Sequence, residues 1–355
     1  MKPLWLKKFM FQLSNSPSRT ALINGKELLF FSGYGYLGVQ HDTSFINLVE
    51  DGIKKYGWLF PSSRISNTQL SIFDEMEAML SSSTNTAASV CFASGFASGT
   101  AATCLFKNHP ISVCPEAHPA INKLQQAALG FDKWAEKTVN IIHGNSFAKT
   151  PVLIADAVNP LTGEVNDFDF LNYIEKPSIV VIDDSHGIGL LGNNGEGIIG
   201  LLPRKENIEY IITYSLSKAF GINGGGISCT NKNTADAIKA LPDFSGSTAM
   251  SPALAHAFIH AQKIYTEQRI KLKKNISILK NLLLQNELII NDDRLSIFVL
   301  PQQLDEQFFA EKNIIISSFG YPVSTGKKIN RAVVNALHTE HDLMQLAEVI
   351  NFYKS

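Results

Sequence analysis

A chain of 355 residues, 45% hydrophobic and 18% charged, is long enough for a large core and for two domains. Its formal net charge of −1, without a long basic run interleaved with aromatics, excludes the usual footprint of a nucleic-acid binder. The four cysteines, Cys91, Cys104, Cys114 and Cys229, make no CxxC pair and read as thiols of a reducing compartment, not as a disulfide frame or a metal site.

In chain order, residues 1–13 have the spacing of a short amphipathic helix, broken by lysine too often for a signal peptide. No apolar run reaches the roughly 18 residues of a membrane span, so a cytoplasmic protein is expected. The stretch 20–31 predicts two short strands around Asn24-Gly25, a pair that favours a type I′ turn. Residues 45–56 have helical spacing, and 81–86 reads as a polar loop. Strands are then predicted at 89–92, 111–114, 139–142, 152–155, 179–182, 209–213 and 226–229, with helical segments such as 124–129 and 168–174 between them. This alternation predicts an α/β fold with a mostly parallel, seven-stranded sheet. A long helix is predicted over 253–284, with a solvated basic run at 269–280, and a smaller C-terminal α/β domain. The expected division is an N-terminal segment 1–35, a large domain 36–255 and a small domain 256–355.

Two stretches carry chemistry. Residues 211–227 read IITYSLSKAFGINGGGI, which puts Lys218 at a strand exit among small residues and glycines. A lysine stripped of part of its hydration there can act as a nucleophilic amine. Upstream, SIVVIDDSHGIG at 178–189 is a strand buried on both faces that ends in Asp183 and, three residues on, His186. Ligands of open α/β sheets bind beyond the carboxyl ends of strands. Each stretch alone is equally readable as a capped turn or a solvated loop.

VVIDDSHGIG followed by SLSKAFG resembles the α-oxoamine synthases, fold-type-I enzymes of pyridoxal 5′-phosphate (PLP), and the resemblance runs from Tyr36 to Glu340. It implies that Lys218 attaches the cofactor covalently, that Asp183 meets the pyridine nitrogen and that His186 meets the phenolic oxygen. It further implies that His118 covers the ring, that Gly95, Phe96 and Ser215 hold the phosphate, and that Thr248 reaches the phosphate of a second subunit in a homodimer. Arg331, in RAVVNALHTE, matches the arginine that grips the substrate carboxylate. Tyr36-Leu37-Gly38 match the family's Asn-x-Tyr-Leu-Gly, with Tyr34 in the place of the asparagine near the substrate. Thr68, Phe73 and Pro160 are further departures near that place.

The implied reaction is a decarboxylating condensation of a small amino acid, alanine or glycine, with an acyl thioester of coenzyme A or a carrier protein. The branch indicated is 8-amino-7-oxononanoate synthase of biotin synthesis. The alternatives are a 2-amino-3-ketobutyrate ligase or serine palmitoyltransferase branch, a fold-type-I aminotransferase, and a non-catalytic binder. No metal, nucleic acid or membrane partner is implied.

Overall fold

The computed structural model describes residues 11–122, 130–159, 161–283, 289–320, 326 and 328–353. The predicted helix 124–129, most of the predicted helix 1–13, and Pro160 lie outside the described residues. Two compact units are present, one of residues 1–38, 161–163 and 270–355, the other of residues 39–160 and 164–269.

The first unit holds β1 (Thr20–Ile23), β2 (Lys26–Phe31), β11 (Ile297–Leu300), β12 (Ile314–Gly320) and β13 (Lys328–Val333), in the order β1-β2-β12-β13-β11. β1 and β2 pair antiparallel around Asn24 and Gly25, both at positive φ, as a type I′ hairpin requires. A lone hairpin is marginal in water. This one gains its core from the far end of the chain, because β2 pairs in parallel with β12 and buries Leu28 and Phe31. Residues 1–38 therefore cluster with 270–355, where the sequence reading set 1–35 apart and began the small domain at 256.

The second unit is built on β3 (Ala88–Phe92), β4 (Ile111–Val113), β5 (Val152–Asp156), β8 (Ser178–Asp183), β9 (Ile208–Ser215) and β10 (Gly225–Cys229), in the order β3-β10-β9-β8-β5-β4. A short hairpin, β6 (Val158–Asn159) with β7 (Glu164–Val165), stands apart. β4, β5, β8 and β9 pair in parallel, and β10 runs antiparallel to both its neighbours. Every residue of β5, β8 and β10 is buried, which accounts for their unbroken apolar runs.

The sheet has six described strands, not seven, because 139–142 belongs to the helix Phe131–Gly144. That helix buries Phe131, Trp134, Ala135, Thr138 and Ile142, a three-and-four spacing that outweighs the local β-branched run. The predicted helix 253–284 is two helices, Pro252–His260 and Gln262–Leu282, parted at Ala261. Within its basic run, Arg269 is not solvated: it is half-buried, and its Nε donates to the Gly189 carbonyl at 2.8 Å. Among the described residues, no helix is long and apolar enough to cross a membrane, and no cluster of three or more His, Cys, Asp or Glu could hold a metal.

Candidate active site

Register brings the chemistry to one edge of the six-stranded sheet. Asp156 of β5 lies opposite Asp183 of β8, which lies opposite Thr213 of β9. Gly225 of β10 pairs with Ser215 on one side and Phe92 on the other. The exits of β3, β5, β8 and β9 thus share the carboxyl edge, where ligands of such sheets bind. β4 ends there too, since Cys114 N–H donates to the Ile154 carbonyl at 2.8 Å, and the next turn leads to His118.

Asp183 is buried, and its Oδ1 accepts from Ser185 N–H at 2.9 Å. Ser185 Oγ in turn accepts from Ser215 N–H at 2.9 Å, which ties the Asp183–His186 turn to the loop that carries Lys218. His118 is held by its backbone, whose N–H donates to both carboxylate oxygens of Asp156 at 3.2 and 3.0 Å. Its Nδ1 accepts from Ala120 N–H at 3.2 Å, so a neutral ring carries its proton on Nε2. Burial pushes the His118 pKa below its ordinary value; the Asp183 carboxylate opposes that shift and the Lys218 ammonium adds to it. Burial likewise pushes the Asp156 carboxyl well above the usual carboxylate range. Asp183 reinforces that rise, while the His118 N–H and Lys218 oppose it. These mutual effects bring His118, Asp156, Asp183 and Lys218 into one electrostatic cluster.

Asp184 does not share the edge. Its Oδ2 accepts from Ile198 N–H at 2.8 Å, deep under the loop that follows His186. Burial pushes its carboxyl well above the usual range.

At the exit of β3, Ser94 caps the helix Gly95–Cys104, its Oγ accepting from Ala97 N–H at 3.2 Å. The first N–H groups of a helix, here those of Gly95 and Phe96, have no acceptor within it and form an anion site with the helix dipole. Gly95 is required by proximity: a Cβ there would lie 2.6 Å from Ser215 Cβ. A Cβ on Gly225 would lie 2.3 Å from the Ser94 carbonyl oxygen. Both glycines let the helix start reach the Ser215 loop, whose exposed Oγ meets Ser217 Oγ at 2.8 Å.

In the other unit, Arg331 lies in the middle of β13 at 1% exposure. Its Nη2 donates to the Tyr34 hydroxyl. Its guanidinium carbon lies 5.0 Å from the centroid of the Tyr34 ring and 4.8 Å from that of Phe319.

The chain matches the family model for aminotransferase class I and II over residues 75–350. It belongs to that family. Within the aminotransferase class I and II family, its curated relatives include the 8-amino-7-oxononanoate synthase of Buchnera aphidicola subsp. Baizongia pistaciae, 26% identical over 377 residues that cover 97% of this chain and 94% of that protein. The 8-amino-7-oxononanoate synthase 1 of Bacillus subtilis is 25% identical over 364 residues, covering 96% and 91%. Among solved structures, a serine palmitoyltransferase from S. paucimobilis, with PLP and myriocin bound, has a TM-score of 0.83 at 16% identity, covering 97% of this chain and 92% of that one. The 8-amino-7-oxononanoate synthase of Francisella tularensis has a TM-score of 0.72 at 23% identity, covering 92% and 98%. These matches bear out the resemblance to the α-oxoamine synthases and the fold-type-I architecture.

The donor set of this family member fits PLP. A helix start and a serine hydroxyl suit the phosphate, a buried carboxylate at the sheet edge suits the ring nitrogen, and the amine of Lys218 suits covalent attachment. His186 lies in the turn directly after Asp183, half-buried. Phe96 is 58% exposed and offers its backbone rather than its ring to the helix start. Thr248 is exposed and makes an isolated bridge with Ser63. Of the departures, Phe73 is fully buried beneath the Arg64 guanidinium, 4.7 Å from the ring centroid, as part of the core; Thr68 is exposed in a loop.

Sequence reasoning passed over Asp156 and Ser185. Asp156 closes the run VLIAD as Asp183 closes SIVVID, so a carboxylate at the end of a buried strand was the available signal. It also passed over the role of Glu77, a buried carboxylate that accepts from Arg64 at 3.1 Å, Lys239 at 2.7 Å and Cys91 N–H at 3.0 Å. That hub anchors the 61–66 loop to β3.

Proposed function

We propose that this chain is a PLP-dependent C-acyltransferase that joins a small amino acid, alanine or glycine, to an acyl thioester with release of carbon dioxide, as an 8-amino-7-oxononanoate synthase does. The supporting observation is similarity to such synthases along nearly the whole chain, together with a sheet edge that keeps His118, Asp183, His186 and Lys218.

When bound, PLP supplies a protonated ring that stabilises the electron pair left on the amino acid's Cα. Lys218 would anchor the cofactor covalently, and its amine would remove the Cα proton of the amino acid. Asp183 would face the ring nitrogen and favour its protonated form. His186 donates to the phenolic oxygen. His118 would cover the ring, and Lys218, carrying the proton it removed, or a protonated His118 would return a proton to the product carbon. Gly95, Phe96 and Ser215 bind the phosphate, and Arg331 binds the α-carboxylate through its fork.

The working form is a homodimer in which Thr248 reaches the partner's phosphate. Trp58, Leu59 and Ile65, all more than half exposed and close in sequence to Ser63, support a paired surface there. Four unpaired cysteines support a reducing compartment such as the cytoplasm. The acyl group is a pimeloyl chain, carried by coenzyme A or a carrier protein.

The test follows free thiol and carbon dioxide together, with L-alanine, glycine and L-serine against pimeloyl and longer acyl thioesters. Equal release of both from one pair is expected, with alanine and pimeloyl thioester the best. A 2-oxo acid formed without thiol release would assign the chain to the aminotransferases.

A further inference from the structure

The helix Gln262–Leu282 holds two backbone carbonyls with two side chains one turn apart. Tyr265, at 1% exposure, donates from its hydroxyl to the Phe220 carbonyl at 3.1 Å. Arg269, four residues on and so on the same helix face, donates from Nε to the Gly189 carbonyl at 2.8 Å. Phe220 stands two residues after Lys218, and Gly189 stands three residues after His186. One face of one helix therefore grips both turns that leave the sheet edge.

The two turns also meet each other. Gly189 has a φ of +84°, and a Cβ on it would lie 2.8 Å from Ala219 Cβ and 3.2 Å from Phe220 Cζ. The Phe220 ring stands edge-on to that of Tyr265, with centroids 5.0 Å apart. Gly189 N–H donates to the Gly195 carbonyl at 2.8 Å, and a Cβ on Gly195 would lie 2.6 Å from Arg269 Nε and Cζ. The guanidinium thus lies against the loop where its two limbs pair. At their other ends the turns are fixed by the pairing of Asp183 with Thr213 and by the bond from Ser215 N–H to Ser185 Oγ. His186 and Lys218 each lie between a fixed point at the sheet and a fixed point on the helix.

We infer that Tyr265 and Arg269 are positioning residues: by holding the Phe220 and Gly189 carbonyls from one helix face, they set where Lys218 and His186 stand relative to each other. This rests on the reading of Lys218 and His186 as the residues that meet PLP. The two act through backbone alone, and a turn released from the helix lets its functional side chain drift from the place the chemistry needs.

Hydrogen exchange of the full-length protein, without added cofactor, reads the clamp itself. Tyr265→Phe removes only the hydroxyl and is expected to speed exchange about threefold at residues 219–222; Arg269→Ala is expected to speed it about tenfold at residues 187–197. Exchange in β8 and β9 should not change in either variant. The second readout is the pH midpoint of the visible absorption band after loading with PLP, which depends on the groups around the cofactor-bearing lysine and is expected to move by about 0.5 pH unit or more in both variants. Unchanged exchange in both variants would overturn the clamp. Faster exchange with an unmoved midpoint would overturn the positioning role and leave two structural hydrogen bonds. A visible band missing from the loaded, unaltered chain would instead overturn the cofactor reading, and the positioning role with it.

Discussion

The sheet edge of the larger unit and the β13 arginine of the smaller one both carry groups suited to anions, yet hold them by opposite means. At the edge, function is set out by backbone: strand register aligns Asp156 with Asp183, a helix start offers N–H groups, and His118 is fixed through its amide. Around Arg331, the surroundings are set out by side chains, with the rings of Tyr34 and Phe319 near the guanidinium and the Tyr34 hydroxyl on Nη2. Backbone-built sites are rigid because moving them breaks a sheet. Side-chain-built sites are adjustable, because a rotamer change suffices.

Mutations sharpen this contrast when ranked by effect. Lys218→Ala should lower turnover by at least about 1,000-fold, since anchor and base are one group. Borohydride reduction of the loaded protein followed by peptide mapping checks the attachment, and a label on another lysine would reassign it. Asp183→Asn should keep the fold and lose about 100- to 1,000-fold in kcat, the scale of one preorganised electrostatic partner; near-normal turnover would remove its role. Asp156→Ala, which frees the His118 amide, should cost about ten- to 100-fold through misplacement of the ring, and Asp156→Asn, which keeps an acceptor, should recover most of that. Equal losses in both variants would point to the charge of Asp156 rather than to its hydrogen bonds.

The last effect is on stability, not turnover, and belongs to the smaller unit. His338 stacks on Phe31 at 4.0 Å, its Nδ1 accepts from Asn335 N–H, and its Nε2 meets the Phe30 carbonyl at 3.1 Å. Burial lowers its pKa from the ordinary 6.5 to about 4, despite the nearby Asp342 carboxylate. Below pH 6.5 the unfolded chain therefore takes up a proton that the folded chain refuses until about pH 4. Stability is fully present above that interval and falls through it as the pH falls, by up to about 1.4 kcal/mol per pH unit. Denaturant melts at stepped pH should show that slope, and His338→Gln should flatten it while lowering stability at pH 7.5. A slope unaltered by the substitution would trace the acid sensitivity to other groups.

The same contrast explains what was legible beforehand. Lys218, Asp183 and Gly95 were readable because each follows an apolar strand run, and the chain's local order already expresses a strand exit. Asp156 follows the same rule but was hidden behind Pro160, which drew the comparison to the segment's departures. The strand expected at 139–142 failed because a short β-branched run looks alike in a strand and on a helix face, and only the wider spacing from Phe131 decides. The resemblance sets Tyr34 and Arg331 near the same substrate, but their direct contact was not legible. The two residues are 297 positions apart, and nothing local in either stretch encodes a meeting that depends on β2, β12 and β13 assembling into one sheet.

Asp183 and Asp184 look interchangeable on the page of a sequence, and a search for tolerant positions would treat one as cover for the other. The loop that closes on Asp184 forbids that. A Cβ on Gly187 would lie 2.0 Å from its Oδ1, and a Cβ on Gly197 would lie 2.0 Å from its Oδ2, so the carboxylate is locked between two positions that admit no side chain. Asp184 cannot turn toward the sheet edge without emptying the seat that shapes the loop after His186. The pair therefore has no redundancy: Asp183 has a twin in the chain and no understudy in space.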